Sequence, residues 1–100
     1  MASAAKNQPT GASVVRELIV GNKLGLHARP AAMFVRVANR FASDIVVEKD
    51  GEEINGKSIM GLMLLAAGCG SHLKVTVTGA DSADMIKALE ELIARKFDEE

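Results

Sequence analysis

Gly25-Leu26-His27-Ala28-Arg29-Pro30-Ala31-Ala32 is the stretch whose reading organises the rest of the chain. Pro30 lacks a backbone N–H and has a fixed φ, which a helix tolerates only in its first turn. The helix therefore starts about two residues upstream. From Ala28 to Arg40, Ala32, Val35, Ala38 and Asn39 recur at helical spacing, with Arg36 and Arg40 on a wetter face, so an amphipathic helix is expected to end before Phe41. His27 then falls at the N-cap. Asp, Asn, Ser or Thr would serve the free amides there better, so capping does not account for a histidine. The helix start offers free N–H groups and a positive dipole end, and Arg29 adds a guanidinium fork suited to phosphate oxygens. Both disfavour imidazolium, so His27 is expected to be largely neutral and nucleophilic, as a transient phosphohistidine requires. Gly25 is expected to let another protein's active site approach.

Working outward, Val14 to Val20 is rich in β-branched residues and stops at the Gly21-Asn22 turn pair, which predicts the first strand. Asp44 to Lys49, the Asp50-Gly51 turn and Glu52 to Asn55 predict a hairpin. Ser58 precedes a short, almost wholly apolar helix from Ile59 to Ala67, closed by Gly68-Cys69-Gly70. In His72 to Thr78, Leu73, Val75 and Val77 alternate with Lys74, Thr76 and Thr78, so one sheet face is wet and the sheet antiparallel. Asp81 or Ser82 caps a last helix to about Phe97, with Ile86, Leu89, Ile93 and Phe97 inward and Lys87, Glu90, Glu91 and Arg95 outward. The order β-α-β-β-α-β-α implies an α+β fold in two layers: a four-stranded antiparallel sheet with three helices on one face. A ferredoxin-like split βαβ arrangement shares nearly the same order.

One hundred residues suffice for one small core, so any chemistry lies at the surface. Residues 1–13, small, polar and broken by Pro9 and Gly11, are expected to form a flexible extension to a domain over 14–100. Aromatic residues are 3% of the chain, Phe34, Phe41 and Phe97 with no Trp or Tyr, and the formal net charge is -1. That leaves little with which to stack on bases or to neutralise a phosphate backbone, so no nucleic-acid partner is expected. A single cysteine, Cys69, fits a reducing compartment and reads as a turn residue. The apolar run Ile59 to Ala67 is too short for membrane insertion, and no signal-peptide pattern precedes the domain, which predicts a cytoplasmic location. No metal or other cofactor is implied. His72 reads as a surface histidine with no partner motif beside it.

Leu26-His27-Ala28-Arg29-Pro30-Ala31-Ala32 is followed by Lys57-Ser58-Ile59-Met60-Gly61-Leu62-Met63, with Ser58 lying 31 positions after His27. From Val14 to Phe97 the chain resembles the histidine-containing phosphocarrier (HPr) family of the bacterial phosphoenolpyruvate-dependent phosphotransferase system. The resemblance implies an open-faced β-sandwich. It implies that His27 accepts a phosphoryl group on Nδ1 from phosphorylated Enzyme I and passes it to a histidine of an enzyme IIA component. Arg29 would steady the phosphoryl oxygens, and no small-molecule turnover is expected of the carrier alone. Ser58, readable as a helix cap, matches the family's regulatory phosphorylation site for HPr kinase/phosphorylase. Ile59, Met60 and Met63, with Ala32, would dock partners as an exposed apolar face. A monomer is expected. Leu64, Leu65, Ala66 and Ala67 depart from a common Gram-positive pattern with a small hydroxyl residue after Met63, so the branch stays open. The alternative is a mainly regulatory member, nitrogen-related or catabolite-controlling, that acts by protein binding. A small-ligand sensor would need a pocket that the sequence does not show.

Overall fold

In the computed structural model, which describes residues 13–99, every neighbouring pair of strands runs antiparallel. The strands are β1 (Ser13–Ile19), β2 (Asp44–Lys49), β3 (Glu52–Asn55) and β4 (His72–Thr78), in the sheet order β1-β4-β2-β3. The last strand inserts between β1 and β2 and so becomes central. Its alternation explains the place: Leu73, Val75 and Val77 are fully buried beneath the helices, while His72 and Lys74 face water. Strand order excludes the ferredoxin-like alternative, which sets its first and third strands at the centre of the sheet, whereas here β4 and β2 are central. Asp50 (φ 53°) and Gly51 (φ 85°) both take the left-handed region that a two-residue hairpin turn demands, joining β2 to β3.

The helices α1 (Ala28–Ala38), α2 (Ile59–Leu64) and α3 (Ser82–Ala94) cover one face, as the element order predicts. The inward face of α1 is Ala31, Phe34, Val35 and Ala38 rather than the set read from sequence. Ala32 is partly exposed and Asn39, the C-cap, is exposed, because Phe34 fixes the rotation of the helix by filling the core. α2 stops three residues early, since Ala66 turns left-handed (φ 52°) just past its end. α3 likewise ends at Ala94, and Phe97 reaches the core through a separate left-handed turn.

Ser13 belongs to β1, where its hydroxyl meets that of Thr78 at 2.8 Å, so the strand begins one residue before the boundary drawn from sequence. The expected extension otherwise lies outside the described residues. Asp81 sits at the start of α3 but does not cap it. Its carboxylate accepts from the Ala42 and Ser43 amides at 2.8 and 2.9 Å and from the Ser43 hydroxyl, binding the loop after α1 to the start of α3. The Ser43 hydroxyl and these amides hold the Asp81 carboxyl below the usual carboxylate range.

Candidate functional site

His27 is the N-cap of α1, with extended backbone (φ -78°, ψ -171°) and a side chain that makes no capping bond. Its carbonyl accepts from Ala31 at 3.0 Å, starting the helical ladder, and its amide donates to Gly25 at 3.0 Å. Since Pro30 has no N–H, the amides of Ala28 and Arg29 are what the helix start can offer an anion. The imidazole therefore stands at the mouth of a small anion site. Its side chain is 39% exposed, open enough for another protein to reach.

A carboxylate already occupies part of this site. Glu99 Oε2 lies 3.0 Å from His27 Nε2 and 3.3 Å from an Arg29 guanidinium nitrogen. Its other oxygen, Oε1, accepts from Asn22 Nδ2 at 2.9 Å. Asn22 is fully buried, and its Nδ2 also donates to the Gly25 carbonyl at 2.8 Å. The Asn22 bond is the main cause holding the Glu99 carboxyl below the usual range, with His27 and Arg29 acting in the same direction. A carboxylate can only accept, so the ring nitrogen facing it carries the proton. In the neutral ring Nδ1 is then the nitrogen with the free lone pair. The Glu99 carboxylate thus joins the helix end and Arg29 among the charged groups that face the ring.

Lys96, Phe97 and Asp98, all left-handed (φ 55°, 56° and 59°), bring Glu99 back to this point. Each such non-glycine residue costs about 1–2 kcal/mol. The turn persists because Phe97 is fully buried, Arg95 bonds Asp98 at 3.0 Å, and Lys96 lies over Gly21.

On α2, the Ser58 hydroxyl accepts from the Gly61 amide at 2.9 Å, the cap bond expected from sequence. Lys57 anchors the approach to it, its Nζ donating to the Phe41 carbonyl at 2.9 Å. Only Leu62 of this helix is buried. Met60 and Leu64 are 73% and 68% exposed and Ile59 and Met63 nearly half exposed, an apolar face too concentrated to be incidental.

A family model described as the PTS HPr component phosphorylation site matches residues 14–95. The chain belongs to the HPr family. The phosphocarrier protein HPr of Treponema pallidum is 48% identical over 87% of this chain and 99% of its own length. A crystal structure of HPr from Thermoanaerobacter tengcongensis superposes with a TM-score of 0.84 at 48% identity, covering 87% of this chain and 98% of that one. Crh of Bacillus subtilis, described as a domain-swapped dimer, superposes at 0.67 with 46% identity, over 74% and 85% of the two chains. The protein is thus a phosphocarrier of the phosphotransferase system, on the two-layer fold of its relatives.

Within this HPr fold the residues singled out from sequence fall into two groups. His27 and Arg29 share the α1 start and are joined through Glu99. Ser58, Ile59, Met60 and Met63 sit on α2, which packs against α1, and Ser58 makes no bond to the His27 group. Gly25 does not open a path for a partner. It is buried at φ 75°, and an added Cβ would lie 2.4 Å from the Ala67 carbonyl oxygen. Its role is to pack this loop against the end of α2. Cys69 is exposed in its turn. His72 does have a partner: Nδ1 lies 3.2 Å from Glu17 Oε2 on the neighbouring strand. Asn22 and Glu99 were missed. Gly21-Asn22 reads as a turn pair and Glu99 lies past the last element expected from sequence, with no local pattern tying either to His27.

Proposed function

We propose that His27 Nδ1 is the atom that carries the phosphoryl group. The observation that supports this most is the engagement of Nε2 by Glu99, which leaves the Nδ1 lone pair as the free nucleophile. In the forward step that lone pair attacks phosphorus on the phosphohistidine of Enzyme I. A P–Nδ1 bond forms, the donor's P–N bond breaks and its electron pair returns to the donor ring. No proton needs to leave His27, because its only ring proton stays on Nε2 against Glu99. Transfer to an enzyme IIA histidine is the same exchange in reverse roles.

Arg29 and the Ala28 and Arg29 amides are placed to neutralise the phosphoryl oxygens. The incoming anion competes with Glu99 for Arg29, so the carboxylate keeps the guanidinium at the site until phosphate arrives. Ile59, Met60 and Met63, with Ala32, form the docking face that brings each partner's histidine to Nδ1. Phosphate on Ser58 would set a double negative charge beside that apolar face and oppose docking. Within one chain the His27 group is complete, so a monomer suffices for transfer, and turnover belongs to the partners. Among the described residues no helix is long and apolar enough to cross a membrane. Meeting Enzyme I and IIA components in the cytoplasm is part of this reading.

The test is incubation with phosphoenolpyruvate and Enzyme I, and separately with ATP and HPr kinase/phosphorylase, followed by phosphate mapping. Acid-labile phosphate absent from His27→Ala and acid-stable phosphate absent from Ser58→Ala are the expected results. Acid-labile label surviving in His27→Ala would overturn the assignment.

A further inference from the structure

We propose a second docking surface on the opposite flank of α1, a groove between α1 and α3 that takes an acidic, apolar-tipped segment of a partner protein. Met33 and Val37 of α1 and Leu92 of α3 form its apolar floor, and Arg36, Arg40 and Arg95 rim it. Its volume of about 250 Å³ falls below the range of sites that enclose small molecules, about 300–1,000 Å³. It suits one or two inserted side chains. The charge of the rim decides what flanks them: among the described residues Arg36 and Arg40 form no ion pair, and Arg95 is held only by Asp98 at 3.0 Å.

The arrangement follows from helix geometry. Arg29 and Arg36 lie seven residues apart, within about 20° around the axis of α1, and Arg40 follows two residues past its end. They make a cationic rail from the His27 end of α1 to its far end. Met33 and Val37 stand on the α3 side of that rail, with their apolar surface half covered. Guanidinium groups over an apolar floor select carboxylates beside aliphatic or aromatic side chains. Residues 1–12 of the chain carry Lys6 and no Asp or Glu, so their chemistry does not match. The groove is independent of phosphoryl transfer, since none of its residues contacts His27 or Glu99 through a hydrogen bond or ion pair.

The probe is a synthetic helix-forming peptide built of Glu pairs and Leu pairs, titrated into the ¹⁵N-labelled full chain. Amide shifts should cluster at Met33, Val37, Arg40, Leu92 and Arg95. Affinity should fall about tenfold in the charge reversal Arg40→Glu and also with added salt. Substituting Ala for Leu in the peptide should weaken binding too. Arg40 is exposed and pairs with no carboxylate among the described residues, so the variant keeps the wild-type spectrum elsewhere and is phosphorylated by Enzyme I at the wild-type rate. Four results would overturn the proposal. They are shifts centred on α2, equal affinity for the Ala peptide, slowed phosphorylation of the variant, and peptide-free shifts at the groove that grow with protein concentration. The last would identify a second copy as the occupant.

Discussion

Replacing Gly25 by Ala tests whether the loop bearing His27 is held from beneath by the end of α2. Gly25 has φ 75°, and a Cβ built on it lies 2.4 Å from the Ala67 carbonyl oxygen and 2.7 Å from Gly68 Cα. Both neighbours are backbone and cannot rotate aside. The left-handed conformation costs Ala about 1 kcal/mol. Forcing a methyl against fixed atoms adds about 1–3 kcal/mol. Two other glycines separate these effects. Gly51 has φ 85° with nothing within 4 Å, so Gly51→Ala carries only the conformational cost, about 1 kcal/mol. Gly68 is unhindered and has no positive φ, so Gly68→Ala stays within about 0.5 kcal/mol of wild type. Urea denaturation should rank the midpoints Gly68→Ala, Gly51→Ala, Gly25→Ala from highest to lowest. At about 4–8 °C per kcal/mol, Gly25→Ala lowers Tm by about 10 °C or more. It should also slow phosphorylation by Enzyme I, because the Gly25 carbonyl accepts from both His27 and Asn22. Equal stability of Gly25→Ala and Gly51→Ala would refute the packing of this loop on Ala67 and Gly68.

Glu99→Gln should remove the preference for a proton on His27 Nε2, read from ¹⁵N shifts of the ring. The preference is a property of the neutral ring, since an imidazolium carries a proton on both nitrogens. Asp81→Asn should lower the urea midpoint near neutral pH. The folded carboxyl lies below its unfolded value, so its contribution is present above that value and lost as pH falls through the folded one. The two proteins' midpoints therefore converge in acid, and a constant gap would contradict the assigned role. Ile59→Asp, at a position 43% exposed, should change folding stability by no more than about 0.5 kcal/mol while weakening Enzyme I binding measured by calorimetry.

Local chemistry made most of this fold legible. Pro30 placed the start of α1, Asp50-Gly51 the hairpin, and the alternation of β4 both its span and its buried face. The helix ends were less legible because they depend on left-handed residues with ordinary side chains. Ala66 and the run Lys96 to Asp98 carry no glycine to announce them, and burial of Phe97 is what selects that turn. The same turn delivers Glu99 to His27 across 72 positions of sequence, which no periodicity encodes. Asp81 illustrates the converse. A residue of the right type at a helix start looked like a cap, but the loop amides at Ala42 and Ser43 bind its carboxylate instead. For the candidate site, His27, Arg29 and the Ser58 cap could be read locally, whereas Asn22 and Glu99 needed the tertiary fold.

With Glu99 on Nε2, the phosphoryl group is proposed to go to Nδ1 of His27. ³¹P–¹⁵N correlation on ring-labelled protein, phosphorylated with phosphoenolpyruvate and Enzyme I, reads the bonded nitrogen directly. Phosphorus should couple to Nδ1 of His27 alone; coupling to Nε2, or to the ring of His72, would overturn the assignment.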